Sequence, residues 1–291
     1  MSHIPHIDFM GIGVPKAATT WISGCLHEHP EICMAKGKEV HHFTNTSNKP
    51  YFFYYDHCPL GAKRGEFSHT YLYSDEAREK IQQHFPNIKL IVSLRDPIER
   101  ILSLYYYRKS KGKPICPTIM EQLQEGKDAY LEGGLYYKYL EKYFDVFPKE
   151  QIFVVIYEDI QPSPKNFMQS IYNFLEIDPD FVAPSLYSPD NMTSADKFKS
   201  KKIHTCIKFV QKSVTTSTFY PTLRPFLKRT NAADFLVKLK KSNVKRGSKL
   251  VPIKEKPIAK ETKEFLKGYY QEDIEKLEKL IGKDLSVWKS K

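Results

Sequence analysis

DFMGIGVPKAATTWISG, residues 8–24, divides into three parts. Phe9, Met10, Ile12 and Val14, with glycines between them, have the close-set apolar composition of a short strand buried on both faces of a parallel sheet. A turn follows at Pro15, and residues 21–26 can be helical. Strand, tight turn and helix start together make an anion site, because the first helical N–H groups lack intrahelical partners and the helix dipole favours negative charge there. Lys16 adds a full positive charge, and Thr19 and Thr20 add hydroxyl donors. A lysine and threonines at such a turn also serve capping and solubility alone. The common nucleotide loop needs Gly, four residues, then Gly-Lys-Ser/Thr, whereas Lys16 here precedes the threonines. Ala18 stands inside the turn, where an L-residue resists positive φ.

Working outward, residues 31–35 read as a second short strand, and residues 44–62 as an irregular aromatic loop or short helix over the site. Residues 64–73, RGEFSHTYLY, have strand composition. Ser74 with Asp75 and Glu76 starts a helix that runs to about His84. KLIVSL, residues 89–94, is a strongly buried strand, and Pro97 opens the helix after it. A helix over 134–147, a buried strand over 151–157 and a helix over 163–176 continue the alternation. That alternation predicts an α/β fold, a central parallel sheet flanked by helices. Beyond residue 179 the strand signals stop. Basic helices over 195–213 and 222–241, a loop over 243–257 and a helix over 260–281 with Phe265, Leu266, Tyr269, Ile274, Leu277 and Leu280 as its apolar stripe form a helical C-terminal cover. The expected organisation is one domain over 1–291, with a core to 180, a basic lid segment over 181–260 and a closing helix.

The 291 residues carry a net charge of +11, and its distribution is uneven. Residues 197–260 hold 18 Lys or Arg against Asp234 and Glu255, while 261–291 hold seven of each sign. A solvated helical face would account for this, and so would a polyanion, an anionic membrane surface or an acidic ligand. The apolar runs are too short to cross a bilayer, and the N-terminus lacks the pattern of a signal peptide, which predicts a cytoplasmic protein. The five widely spaced cysteines, with no Cys-x-x-Cys, read as buried thiols rather than disulfides or metal ligands.

Two strand-to-helix junctions bearing cations should converge at the carboxyl ends of their strands. The second offers Arg95, directly after its strand, and Ser103 two helical turns on. Pro15-Lys16-x-x-Thr19-Thr20-Trp21 resembles the 5′-phosphosulfate loop of sulfotransferases that use 3′-phosphoadenosine 5′-phosphosulfate (PAPS), and Arg95-Asp96-Pro97 with Ser103 resembles their 3′-phosphate motif. The resemblance extends to Tyr157-Glu158-Asp159 and to the closing DIEKLEKLIGKDLSVW. It implies a nucleotide-kinase-like, P-loop-like sulfotransferase fold. It places the residues from Lys16 through Ala17, Ala18, Thr19 and Thr20 to Trp21 on the phosphosulfate and Arg95 and Ser103 on the 3′-phosphate. Lys245, Arg246 and Gly247 would form a late loop closing over PAPS.

Such a transferase needs a base for the acceptor proton and a cation for charge on the departing phosphate. Lys16 can supply the cation. KEVHHF, residues 38–43, resembles the Lys-Glu-x-His-Phe segment of heparan-sulfate-type members, which implies Glu39 as base and His41 as its helper. His69 is the rival base, since FSHTY stands where small-molecule members carry a catalytic histidine. Heparan-type members have a functional lysine where this chain has Phe67. The expected donor is PAPS, with no metal, and the acceptor a carbohydrate or small alcohol; an anionic or membrane-associated one would suit the basic segment. A nucleotide kinase of related fold and a non-catalytic polyanion-binding protein are the alternative readings, and no nucleic-acid motif supports a nucleic-acid partner.

Overall fold

The computed structural model describes residues 6–44, 50–113, 115–125, 129–187 and 258–289. The expected basic helices and loop over 195–257, with Lys245, Arg246 and Gly247, lie outside the described residues. All described residues except 107–113 fall in one compact unit, which holds the sheet and the site residues described below.

The unit is built on five parallel strands: β1 (Phe9–Gly13), β2 (Ile32–Met34), β3 (Lys63–Phe67), β4 (Lys89–Leu94) and β5 (Ile152–Ile156), in the order β2-β3-β1-β4-β5. Parallel strands need crossovers: α1 (Thr19–His27) lies between β1 and β2, a 3-10 turn (Tyr51–Tyr54) between β2 and β3, α2 (Asp75–His84) between β3 and β4, and α3 (Pro97–Ser110), α4 (Ile119–Glu125), α5 (Ala129–Glu132) and α6 (Tyr136–Phe144) between β4 and β5, while α7 (Pro164–Leu175) follows β5. Two further helices, α8 (Lys260–Ile281) and α9 (Ser286–Lys289), follow. Local chemistry sets several boundaries. Ser74 accepts the Ala77 N–H at 3.1 Å to start α2, and Ser163 accepts the Asn166 N–H at 3.3 Å to start α7.

The strand periodicity sorts side chains between two cores. Met10 and Ile12 of β1 and Leu90, Val92 and Leu94 of β4 face a core completed by Ile81, Ile101, Leu140, Leu266, Tyr270 and Leu277. Phe9, Ile91 and Val155 face a second core with Trp21, Ile22, Phe167 and Ile171. Each fully buried aliphatic or aromatic side chain contributes about 1.5–3 kcal/mol, so the sheet and its covering helices stabilise each other. Gly11 lies under the Phe67 ring, where a Cβ would come within 2.0 Å of it. Phe67 is thereby a core residue joining β3 to β1.

Three expectations are corrected. The segment 64–73 is not one strand: β3 ends at Phe67, the Ser68 N–H is given to the Gly11 carbonyl at 2.9 Å, and a 3-10 turn follows at Tyr71–Tyr73. The buried stripe of α8 is Leu266, Tyr270, Ile274, Leu277 and Ile281, so Phe265 and Tyr269 sit just beyond its edge and stay partly exposed. Finally, Cys33 and Cys58 form a disulfide. β2 and the turn after the aromatic segment bring their Cα atoms to 5.6 Å although 25 residues separate them in sequence, a proximity that spacing alone does not reveal. Cys25 and Cys116 are free thiols.

Candidate active site

The strand order makes β1 the switch point: the chain passes to β2 and β3 on one side of it and to β4 and β5 on the other. Ligands in open parallel sheets bind beyond the carboxyl ends at such a point. The loops leaving β1, β2, β3 and β4 there carry Lys16, Glu39, His69 and Arg95 in turn.

The first loop is under backbone strain. Lys16 (φ 74°) and Ala18 (φ 59°) both occupy the left-handed region, against the expectation that alanine avoids it. Such residues cost on the order of 1 kcal/mol or more each and persist only where their surroundings enforce them. Here Ser93 of β4 enforces them: its hydroxyl donates to the Ala17 carbonyl at 2.5 Å and its carbonyl accepts the Val14 N–H at 2.9 Å. Ala18 is the N-cap of α1 and no side chain caps the helix, so the start of α1 offers its N–H groups to an anion in the turn. Ala18→Gly should raise the melting temperature, the relief of strain outweighing the added freedom of the unfolded chain. A thermal melt beside the wild type measures it, and a lowered melting temperature would refute it.

Of the residues expected on the phosphosulfate, Thr20 is exposed, while Ala17 and Thr19 are buried. The Trp21 ring is also buried: its indole N–H donates to the Leu186 carbonyl at 3.2 Å and it packs on Phe167. Arg95 meets the first loop directly, its Nη1 donating to the Lys16 carbonyl at 3.4 Å. The guanidinium also lies over the Tyr157 ring at 4.5 Å and 3.6 Å from Glu99. Asp96 does not pair with Arg95. It accepts the Ile98 and Glu99 N–H groups at 2.8 and 3.3 Å as the cap of α3, and burial pushes its carboxyl up to about 6. Glu158 accepts the Asp96 N–H and the Trp288 indole N–H, joining α9 to this junction. Ser103 is buried in α3.

Glu39 and His69, which the sequence offers as rivals, stand side by side. Glu39 Oε1 is 3.1 Å from His69 Nδ1 and 3.2 Å from Lys38 Nζ, and its Oε2 is 3.7 Å from His41 Nε2. The His69 imidazole, with Lys38 behind it, holds the Glu39 carboxyl down to about 2 against the opposite pull of partial burial. Burial, and then His69, press His41 below its usual value. Lys38 Nζ also donates to Thr20 Oγ1 at 2.6 Å. Thr20, Lys38, Glu39 and His69 are thus one chain of contacts leading from the first loop to the carboxylate.

The segment bearing Glu39 is itself strained, with Glu39 at φ 64° and His41 at φ 52°. Two N–H groups tie it to the end of β3, Glu39 giving its own to the Phe67 carbonyl at 3.1 Å and His41 to Ser68 Oγ at 3.0 Å, while the Val40 N–H between them lies toward the Glu66 carboxylate and helps stabilise its charge. Glu66 is 1% exposed and also accepts from Tyr51 at 2.5 Å, Tyr71 at 3.0 Å and Ser68 at 2.7 Å. Sequence reasoning passed over Glu66, Ser68, Ser93 and Lys38 as site residues. The alternation of β3 did hold a signal: with Gly65 and Phe67 on one face, Glu66 must enter the opposite core of a sheet covered on both sides.

Comparison with known proteins gives the family and the fold. The family model described as "Sulfotransferase domain" matches residues 6–240. The mouse heparan sulfate glucosamine 3-O-sulfotransferase 3B1 is 30% identical over 175 residues, covering 56% of this chain and 44% of that protein. Human heparan sulfate glucosamine 3-O-sulfotransferase 5 is 28% identical over 193 residues, covering 60% of this chain and 55% of that protein. The chain thus spans about half the length of these curated relatives. A sulfotransferase crystal structure from Alicyclobacillus acidocaldarius superposes with a TM-score of 0.70 at 19% identity, covering 98% of this chain and 99% of that one, which establishes the shared fold. A parallel sheet with a strained, lysine-bearing loop after its first strand and a family match over most of its length place this chain in the sulfotransferase domain family.

Proposed function

We propose that this sulfotransferase moves the sulfuryl group of PAPS to a hydroxyl or amine of a carbohydrate or small-alcohol acceptor, with Glu39 as base and no metal needed for the transfer. The observation that carries the reading is the meeting of the two cation-bearing junctions, with the Arg95 guanidinium on the Lys16 carbonyl. A donor with a phosphosulfate at one end and a 3′-phosphate at the other asks for cations spaced along one sheet edge, and Lys16 and Arg95 stand there. The strained turn at Lys16 and Ala18, with the helix start behind it, supplies the kind of donors an anionic oxygen needs.

The acceptor oxygen attacks sulfur in line while the bond from sulfur to the 5′-phosphate oxygen breaks. Glu39 takes the acceptor proton, and adenosine 3′,5′-bisphosphate leaves with its new charge stabilised by Lys16. Lys38, touching both Thr20 and Glu39, aligns donor and base. A carbohydrate acceptor has the further support of the named activities of the relatives. Enclosure of PAPS by Lys245, Arg246 and Gly247 remains part of the proposal.

The test is binding followed by transfer. PAPS should raise the melting temperature while ATP leaves it unchanged, and Lys16→Ala with Arg95→Ala should abolish the PAPS shift. Labelled PAPS offered with glycans, lipids and phenols then identifies the acceptor. Stabilisation by ATP and not PAPS would favour a kinase. Salt-dependent polyanion binding that survives both substitutions, without any transfer, would favour the binding-protein reading.

A further inference from the structure

The carboxylate and two imidazoles beside the phosphosulfate loop also have the composition of a divalent-metal site. We propose that Glu39, His41 and His69 bind a zinc-type divalent cation, and that this cation blocks sulfuryl transfer. The blocking rests on Glu39 being the base; the binding does not.

His69 Nδ1 carries the argument. It is buried, makes no aligned hydrogen bond, and stands 3.1 Å from Glu39 Oε1. A ring-nitrogen lone pair facing a carboxylate oxygen at that distance is repulsive until positive charge comes between them. A proton on the ring is one solution. A cation coordinated by both atoms is the other, and it satisfies the orphaned nitrogen with a bond. His41 completes the set, its Nε2 lying 3.7 Å from the other Glu39 oxygen. Its Nδ1 is 2.8 Å from Thr70 Oγ1, so with the proton on Nδ1 and donated to Thr70, the Nε2 lone pair faces the carboxylate. Metal-binding histidines are commonly oriented by such a partner on the other nitrogen.

The dimensions agree. One ligand atom from each residue lies within 4.8 Å of the other two. Zinc holds nitrogen and oxygen at about 2.0–2.2 Å in a tetrahedral array, which puts neighbouring donors about 3.3–3.6 Å apart, so small side-chain rotations close the set. Three protein ligands leave a fourth position for water or the acceptor hydroxyl. Two histidines and one carboxylate suit zinc and its first-row neighbours better than magnesium or calcium, which prefer oxygen. Lys38 opposes binding from 3.2 Å, but its contact with Thr20 gives the ammonium a partner when the cation displaces it from Glu39. Cys33, His57 and Cys58 are also close enough for a shared ion, yet the two sulfurs are spent in the disulfide and cannot act as thiolates.

Zinc chloride titrated calorimetrically into untagged, non-reduced protein, without donor or acceptor, tests the site. One equivalent should bind with a dissociation constant on the order of micromolar. Glu39→Gln and His69→Ala should each weaken binding at least about tenfold, and Thr70→Val, which spares all three ligands, about tenfold through loss of orientation. His57→Ala should leave it unchanged. The same zinc concentration should stop sulfuryl transfer in a manner reversed by a chelator. Absence of binding up to about 1 mM zinc, or binding undiminished in both ligand variants, overturns the proposal. Glu39-dependent binding by a protein that transfers no sulfuryl group would uphold the site and sink the transferase chemistry instead.

Discussion

Glu39→Gln is expected to lower kcat by about 10²–10⁴-fold while PAPS affinity stays within about twofold, because a general base acts in the transition state and adds little to ground-state binding. The substitution keeps the shape of the side chain and removes its charge, so the strained segment retains its N–H ties to the Phe67 carbonyl and the Ser68 hydroxyl. The pH profile identifies the proton acceptor. With its carboxyl held at about 2 by His69 and Lys38, Glu39 stays ionised through the working range. The wild-type rate should therefore remain level from about pH 8 down to about pH 5, well above that carboxyl's titration. An acid limb within that range would transfer the role of base from Glu39 to His69. Stability follows with a definite sign. A carboxyl whose folded value lies below its ordinary 4.5 adds stability that is fully present above pH 4.5 and is lost as the pH falls toward about 2. Denaturation midpoints measured across that window should fall more steeply for the wild type than for Glu39→Gln.

The parts legible in sequence were those whose physics is local. KLIVSL is apolar at every buried position except Ser93, and it forms β4 with the expected ends. Ser74 and Pro97 announce helix starts through their own hydrogen-bonding chemistry, and both helices begin there. The two cation-bearing junctions were legible for the same reason, since strand, turn and helix start are consecutive. What stayed hidden depends on contacts across the sheet. Ala18 reads as unable to adopt a left-handed turn because a single residue's preference says nothing of Ser93, 75 positions away, which fastens the neighbouring Ala17. Glu39 and His69 read as competitors because 30 residues separate them, yet β2 and β3 are neighbours and their following loops bring the two together. Cys33 and Cys58 become partners through the same kind of closure.

Glu66→Gln is expected to damage both the fold and the reaction, although Glu66 touches no part of the acceptor or donor in the proposed chemistry. Its two carboxylate oxygens receive the Tyr51, Tyr71 and Ser68 hydroxyls, with the Val40 N–H also lying toward them, a set made entirely of donors. An amide presents one acceptor and two donors to the same groups. Leaving a buried donor without an acceptor costs about 1–3 kcal/mol, which should appear as a lower denaturation midpoint. The catalytic effect follows from where those donors lie. Val40 is flanked by Glu39 and His41, both at positive φ, and the His41 N–H is held by the Ser68 hydroxyl that itself donates to Glu66. Loosening this grip lets two strained residues relax, and a base displaced by about 1 Å loses on the order of 10²-fold in rate. The loss should fall on kcat, with PAPS binding preserved, because the phosphosulfate loop is fastened separately by Ser93. Linkage gives an independent reading. Burial raises the Glu66 carboxyl above its ordinary 4.5, so in the wild type this residue withdraws stability as the pH climbs from 4.5 through the raised folded value. Glutamine has no such titration, and the stability difference between the two proteins should narrow as the pH rises over that range. A Glu66→Gln protein with unchanged kcat would show that the clamp on residues 39–41 is maintained without this carboxylate and that the base is positioned by its side-chain partners alone.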